Sequence, residues 1–267
     1  MKKVVRILVV VMWVLLVAGF LVLVGFTTID HNDTVCRSYS VSIDYGKADT
    51  LITRADVDSL LKGIRNPLKG QFIGDIDVEK VEKSIKHQPY VGDADVFMYL
   101  DGKVVVNIIQ RQPILRIYNT RGESFYLDGR GNLLPLNPAF SARVLVANGD
   151  INEPFVKRIC YQQDSVKIKD SLEYKSIMNH LYEVASYIAK DPFFRAQIQQ
   201  IYVNPDGEME LIPRVGNHTI LLGKGEDLPE KFGKLYVFYK MGLSQTGWEK
   251  YNIINIKYRN QVVCSKI

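Results

Sequence analysis

The chain has 267 residues, of which 47% are hydrophobic and 24% charged, with a formal net charge of +5. These fractions are typical of a globular protein and exclude an intrinsically disordered chain, a collagen and a polytopic membrane protein. The charge is modest and forms no dense basic block, so nucleic-acid binding is not expected.

The first feature along the chain is a run of 20 residues without a charge, from Ile7 to Phe26. A helix of that length spans about 30 Å, the thickness of the hydrocarbon core of a bilayer. A cleaved signal peptide has a shorter apolar region and a small-residue cleavage site, and a buried core helix has a polar face. The run fits neither alternative, so we predict a retained transmembrane helix over 7–26.

The charges on either side of this run predict its orientation. Lys2, Lys3 and Arg6 precede it, whereas Asp30 and Asp33 follow it. Because positive charge is retained in the cytoplasm, residues 1–6 are expected to form a short cytoplasmic tail. Everything after residue 26 is then outside, with 27–37 as a polar linker.

The next segment, 38–112, has the pattern of one small α+β domain. Residues 38–44 alternate as in a strand, and Asp-Gly at 101–102 between two apolar runs is a strong hairpin signal. Asp77 is a good N-cap for a helix that must end before Pro89. The expected order is a strand at 38–44, a helix with Val57, Leu60, Leu61 and Ile64 on one face, a helix from Asp77, and strands at 94–100 and 103–110.

After Pro113 the pattern becomes that of a mainly antiparallel β domain with two helices laid against it, over 113–267. The turn residues Asp, Asn, Gly and Pro separate short apolar runs. The predicted strands are 116–127 and 132–136 around a turn at 128–131, then 143–147, 198–203, 208–213, 218–222, 253–258 and 261–265. The predicted helices are 176–190 and 228–241, the second with Asp227 as its cap.

The titratable residues of the chain show no catalytic, cofactor-binding or metal-binding motif. The three cysteines, Cys36, Cys160 and Cys264, show no metal-binding spacing, and we expect three unpaired thiols, with one disulfide as the alternative. No sequence signature of a hydrolase, a metalloprotease or a complete phosphate loop occurs. We therefore predict no catalytic, cofactor-binding or metal site.

Several residue groups have both a structural and a functional interpretation. The carboxylate pairs Asp75/Asp77 and Glu208/Glu210 are explained by a helix cap and a solvated strand, with an acid–base couple as the alternative. The glycine pairs at 129–131 and 223–225 are expected to form turns. For the aromatic residues Tyr236, Phe238 and Tyr239 we expect core packing, with partner contact as the alternative.

Four motifs in order give the chain a family resemblance. They are Gln-Pro-Tyr-Val at 88–91 followed by Ala-Asp-Val at 94–96, Ile-Ile-Gln-Arg-Gln-Pro at 108–113, Phe-Tyr-Leu-Asp at 125–128 with Gly131, and Asn-Ile-Lys-Tyr at 255–258. With the β-α-α-β-β order of a POTRA domain, they make the chain resemble the bacterial division family FtsQ/DivIB over essentially its full length. The chain departs from the family pattern where Tyr90 replaces Trp, Gln110 replaces Glu, and Asn255 and Lys257 replace Asp and Arg.

The resemblance implies a non-catalytic, single-pass scaffold of the divisome in the cytoplasmic (inner) membrane. Its exported domains would lie in the periplasm, enriched at the septum, and would bind FtsB- and FtsL-like partners. The POTRA domain would dock other divisome membrane proteins. In the family, the principal contact adds a partner strand to the C-terminal edge of the sheet.

In this chain that edge corresponds to the final strand, 261–265. The predicted partner-binding residues are Tyr258, Asn260, Gln261, Val262, Val263, Cys264 and Ser265. Open edges are usually blunted by charge or proline, and this one has neither before Lys266, which fits an edge that a partner covers. The alternatives are a fraying terminus and a strand inside the sheet.

Two other functions compete with the division scaffold. A POTRA-bearing assembly or secretion component would usually have several POTRA copies or a membrane barrel, and the sequence has neither. A membrane-tethered periplasmic enzyme would need catalytic residues that are not neighbours in sequence.

Overall fold

A computed structural model describes residues 2–32, 34–63, 68–155 and 177–266. The chain divides into two compact units, Met1–Asp44 with Ile52–Gln110, and Tyr45–Leu51 with Arg111–Ile267. Each unit has its own hydrophobic core. The fold is α+β, as the sequence predicted.

The first unit begins with the helix α1, Lys2–Asn32. Its stretch Ile7–Val24 is long and apolar enough to cross a membrane, and no part of this stretch is buried in the protein. The run predicted from the sequence therefore does form a continuous helix. A helix that is apolar on every side has no face for a polar solvent.

The rest of the first unit has the predicted β-α-α-β-β order. A three-stranded sheet, ordered β1-β3-β2, pairs β1 with β3 in parallel and β2 with β3 antiparallel. The elements are β1 Ser38–Asp44, α2 Arg54–Gly63, a 3₁₀ turn Ile73–Asp75, α3 Val78–Lys86, β2 Val91–Met98 and β3 Lys103–Gln110.

The period of the apolar residues explains the core of this unit. Along β3, Val104, Val106 and Ile108 are buried while their neighbours are not. The helices α2 and α3 bury residues at helical spacing in the same cluster. Of the predicted face of α2, Val57 and Leu61 are buried and Leu60 is partly buried, and Ile64 lies outside the described residues.

The start of α3 shows how local chemistry fixes an element boundary. The carboxylate of Asp77 accepts a hydrogen bond from the backbone N–H of Lys80 and forms an ion pair with its ammonium group. These contacts lower the pKa of the Asp77 carboxyl, mainly through the hydrogen bonds of Lys80. The predicted cap is confirmed, which accounts for one member of the Asp75/Asp77 pair.

The second unit is a nine-stranded mixed sheet with helices. Its order is β12-β11-β10-β9-β8-β7-β4-β5-β6, parallel at β4/β7, β7/β8 and β10/β11 and antiparallel elsewhere. The strands are β4 Pro113–Tyr118, β5 Ser124–Asp128, β6 Leu133–Leu134, β7 Leu145–Gly149, β8 Ile198–Val203, β9 Met209–Pro213, β10 Thr219–Gly223, β11 Tyr251–Asn255 and β12 Val263–Lys266. The helices are α4 Ile177–Lys190, α5 Pro192–Gln197, α6 Leu228–Val237 and α7 Ser244–Thr246, with a π-helical turn at Phe238–Leu243.

The segment Tyr45–Leu51, which follows β1, has its contacts with the second unit. The side-chain amide of Gln112 donates to the carbonyl of Tyr45 at 2.9 Å and accepts from the N–H of Lys47 at 3.2 Å. The sequence shows no sign of this arrangement, because the hydrogen bonds join residues about 65 positions apart.

Several predicted elements have other bounds in the structure: the strands expected at 132–136, 253–258 and 261–265 are Leu133–Leu134, Tyr251–Asn255 and Val263–Lys266. The short helices α5 and α7 were not predicted. Two further elements differ in kind. The expected strand 116–127 is a hairpin of β4 and β5, because the Asn119 side chain accepts hydrogen bonds from the N–H groups of Arg121 and Glu123 and closes a turn. The expected helix 228–241 changes to a π-helical turn at Phe238. Asp227 is left-handed at φ 52° and makes no side-chain cap, so its predicted capping role is wrong.

The cysteines in the described part of the chain are free thiols. Cys36 is buried in the first unit and Cys264 is half-buried on β12, and burial raises the pKa of both thiols. Cys160 lies outside the described residues.

Candidate partner-binding edge

The final strand β12 lies at one end of the nine-stranded sheet. It pairs antiparallel with β11, with Ile254 opposite Cys264 and Asn255 opposite Val263. Within 34–63, 68–155 and 177–266, no strand pairs with its other edge. The observed strand begins at Val263, so Gln261 and Val262 precede it instead of belonging to it.

The side chains of residues 262–265 alternate between two faces, as expected for an extended strand. Val262 and Cys264 pack against the hydrophobic core of the second unit. Val263 and Ser265 are exposed on the other face, Val263 with 44% of its surface accessible. The segment therefore has one side fixed by the core and an exposed side available to a partner.

The turn between β11 and β12 is held by the helix α6. Asn260 is left-handed at φ 59°, a conformation that asparagine tolerates better than most residues, and its N–H donates to Oε1 of Glu230 at 3.1 Å. The ammonium of Lys234 donates to the carbonyl of Tyr258. The ring of Tyr258 is half exposed beside this turn.

Glu230 is the centre of these contacts. Its carboxylate pairs with Nζ of Lys234 at 3.2 Å and lies 3.9 Å from Nε of Arg259. The hydrogen bond from the N–H of Asn260, followed by that from Lys234, lowers the pKa of the Glu230 carboxyl. The group is therefore charged at neutral pH and holds the turn that leads into β12.

Sequence reasoning missed Glu230 and Lys234. Their i, i+4 spacing predicts a helical ion pair, but it carries no information on a turn 24 to 30 residues later in the chain. Only the packing of α6 beside the β11–β12 connection brings these residues together with Tyr258 and Asn260.

A second contact holds the end of β11. The ammonium of Lys257 donates to the carboxylate of Glu208 at 2.9 Å, and this hydrogen bond raises the pKa of Lys257. The N–H of Ile256 donates to the carbonyl of Leu221 on β10 at 3.1 Å. The motif at 255–258 therefore joins β11 to its neighbours in the sheet, and Glu208 acts as an ion-pair partner.

The other predicted groups are structural in the folded chain. Gly129 and Gly131 lie in a turn closed on Asp128, whose carboxylate accepts from the N–H groups of Arg130 and Asn132. In the described part of the chain, no three His, Cys, Asp or Glu side chains group as a metal site would require.

The aromatic residues of the late helix belong mainly to the core. Tyr239 is buried and Tyr236 and Phe238 are partly buried against the same cluster, in agreement with the core-packing interpretation. The hydroxyl of Tyr239 lies 2.9 Å from Nε2 of the buried His218, whose pKa burial lowers. Trp248 stacks on both rings.

The geometry of this edge suits β-strand addition. No strand of the described residues pairs with the outer side of β12, and Val263, Ser265 and Lys266 are exposed along it. Hydrogen bonds from the main chain give such binding its affinity, and alternate side chains give it specificity.

Comparison with known protein families gives two matches. A family model described as FtsQ/DivIB, C-terminal related, matches residues 112–265, more than half of the chain, and includes the whole β11–β12 hairpin apart from Lys266. A model described as POTRA-like domain matches residues 34–109. No curated protein matches the sequence significantly.

Proposed function

The chain belongs to the FtsQ/DivIB family, and on this premise we propose that it is a non-catalytic scaffold of bacterial cell division. It is anchored in the cytoplasmic membrane by α1, with residues 1–6 in the cytoplasm and everything after residue 26 outside. It is enriched at the septum, where it links other division proteins to wall synthesis.

The observation that carries this proposal is the exposed edge of β12. Tyr258, Asn260 and the segment 261–265 lie along this edge or in the turn that leads to it. The segment 261–265 contains no charge or proline, and the charged residue of β12 is Lys266, its last residue. An FtsB- or FtsL-like partner adds a strand antiparallel or parallel to β12. The POTRA-like unit is the docking module for other divisome membrane proteins.

Capture of purified FtsB- and FtsL-like proteins from the same genome tests the edge. Val263→Lys places a charge on the exposed side of β12 and is expected to abolish capture, because edge charges oppose strand addition. Val237→Lys changes a valine that is 53% exposed on α6 and is the matched control. Val262→Pro places a proline directly before β12 and removes a backbone N–H at the start of the edge, so it is expected to behave like Val263→Lys.

Undiminished capture by folded Val263→Lys and Val262→Pro variants would remove the edge assignment. A fluorescent fusion of the full chain, imaged in dividing cells, tests the wider role separately. Midcell enrichment is expected, and a uniform envelope signal would contradict the division function.

A further inference from the structure

One end of the first unit has a cluster of exposed apolar residues outside the edge described above. The hairpin-tip patch consists of Val35, Phe72, Phe97, Met98, Tyr99 and Leu100, and each has more than a third of its surface accessible. Isolated exposed apolar residues need no explanation, but a contiguous group marks a surface that binds protein or membrane. Leu100, with 71% of its surface exposed, is the most accessible.

The members of the patch are brought together by backbone contacts. Val35 and Phe72 form an antiparallel bridge, and the N–H of Ile73 donates to the carbonyl of Thr34 at 2.9 Å. The N–H of Arg37 donates to the carbonyl of Gly102 at 2.9 Å. The turn of the β2–β3 hairpin therefore lies against the segment that enters β1.

Gly102 permits this close approach. Its φ is +85°, and a Cβ there would come within 2.6 Å of the carbonyl oxygen of Val35. A side chain at this position would push the hairpin turn away from the entering segment. The contact between the turn and residues 34–37 is thus built into the backbone.

The topology places this end of the sheet next to the anchor. The strands β1 and β3 are parallel and both begin at this end, and β2 ends there. α1 ends at Asn32, and the two steps to Thr34 span at most about 7 Å. The six helical steps from Phe26 to Asn32 add about 9 Å, so Thr34 lies within about 16 Å of the hydrocarbon core.

The chemistry of the patch suits the headgroup layer of a bilayer. Tyr is enriched at the membrane–water interface, where its amphipathic ring lies at the level of the headgroups, and Phe and Leu form the buried face of interfacial helices. Arg37 and Lys103, both exposed beside the turn, suit anionic headgroups, while Asp101 is the acidic residue of the turn.

We propose that the hairpin-tip patch inserts into the headgroup layer of the bilayer that α1 spans, and so orients the first unit on the membrane surface. The inference rests on the proposed membrane anchor. It requires that the patch faces lipid and not a protein.

A tryptophan reporter in the full chain tests the contact. Trp13 and Trp248, the two tryptophans of the sequence, are replaced by phenylalanine in every variant. Tyr99→Trp places the reporter in the patch, and Ile109→Trp places it at the other end of β3, on a residue that is 46% exposed. The two positions on the sheet are about 20 Å apart along the strand.

The variants are reconstituted in vesicles of phosphatidylethanolamine and phosphatidylglycerol with acyl chains brominated near the headgroup. The Tyr99→Trp emission is expected to shift to the blue and to be quenched, and the Ile109→Trp emission to stay unquenched. Adding Leu100→Asp to Tyr99→Trp is expected to reduce the quenching, since a carboxylate opposes insertion.

Flotation of the same vesicles separates this inference from the anchor on which it rests. If the protein floats but the Tyr99→Trp emission is not quenched, the insertion is contradicted and the membrane anchor is not. A protein partner would then be the occupant of the patch. Equal quenching at both reporter positions also overturns it. Protein that does not float overturns the anchor and the insertion together.

Discussion

The guanidinium of Arg111 donates a hydrogen bond to the carboxylate of Asp128, with 3.0 Å between Nη1 and Oδ2, and both side chains are almost wholly buried. The two residues come from separate motifs of the family resemblance, at 108–113 and 125–128. The same carboxylate holds the turn after β5 through Arg130 and Asn132. This pair therefore fixes the start of the second unit.

Removal of one partner from this ion pair is expected to destabilise the second unit strongly. Arg111→Met leaves the carboxylate of Asp128 buried without its cation, a change that typically costs about 3–5 kcal/mol. Chemical denaturation of the full chain in detergent, followed by near-ultraviolet circular dichroism, measures the loss.

The control for this pair is Asp206→Asn, which neutralises an exposed carboxylate in the β8–β9 turn. A surface change of this kind is expected to alter the stability by less than about 0.5 kcal/mol. An Arg111→Met variant as stable as this control would show that the ion pair contributes nothing net.

Loss of the Glu230 carboxylate is expected to loosen the turn before β12 and weaken partner capture. Glu230→Ala removes the acceptor of the Asn260 N–H and the partner of Lys234. We expect faster amide hydrogen exchange at Asn260 and weaker binding of the FtsB-like partner, and both are measured against the unchanged chain. Glu249→Ala, at an exposed glutamate in the β11 approach, is the control.

The pH dependence of this contact has a definite sign. The folded-state pKa of the Glu230 carboxyl is lowered. Its contribution to the stability of the turn is therefore complete above the ordinary glutamate pKa and is lost as the pH falls through the lowered folded-state pKa. Hydrogen exchange at Asn260, corrected for intrinsic rates, is expected to accelerate at acidic pH in the natural chain. An equal acceleration in Glu230→Gln would contradict this assignment.

His218 predicts a second pH effect, on the stability of the second unit. Burial lowers its folded-state pKa, so at a pH between the folded-state and unfolded-state pKa values the imidazole is neutral in the folded chain while the unfolded chain binds a proton. Stability is therefore complete above the unfolded-state pKa of about 6.5 and falls as the pH drops below it, by up to about 1.4 kcal/mol per pH unit.

Urea denaturation between pH 7.5 and 5.5, followed through Trp248, measures this slope, since Trp248 stacks on His218. His218→Gln is expected to make the free energy of unfolding less dependent on pH. His87→Gln, at an exposed histidine of the first unit, is the control and is expected to keep the pH dependence. An unchanged slope in His218→Gln would assign the effect to other groups.

Gly102→Ala is expected to destabilise the first unit more than Gly70→Ala does. Both glycines have positive φ, so alanine costs backbone strain of about 1 kcal/mol or more at either position. Only at Gly102 does the new Cβ also meet a backbone atom, the carbonyl of Val35 at 2.6 Å, whereas nothing lies within 4 Å at Gly70. Equal unfolding midpoints for the two variants would contradict this, because residues 34–37 would then shift away from the new Cβ at position 102 without loss of stability.

The sequence by itself determined the local features of this protein, because they depend on periods and end signals within a few residues. The apolar run predicted α1, the helical spacing of Val57 and Leu61 predicted α2, and Asp77 marked the start of α3. The Asp-Gly and Asn-Pro-Asp-Gly turns predicted two hairpins. Four short motifs were enough to indicate the family.

Other features were decided only by the tertiary structure, since they join residues far apart in the chain. The parallel pairing of β7 with β4 and β8 follows from burial in one shared core, and no local pattern in the chain specifies it. The contact of Glu230 with Asn260 depends likewise on where α6 packs. The exposed edge of β12 is a property of strand order, which the sequence encodes only through the sum of all buried contacts.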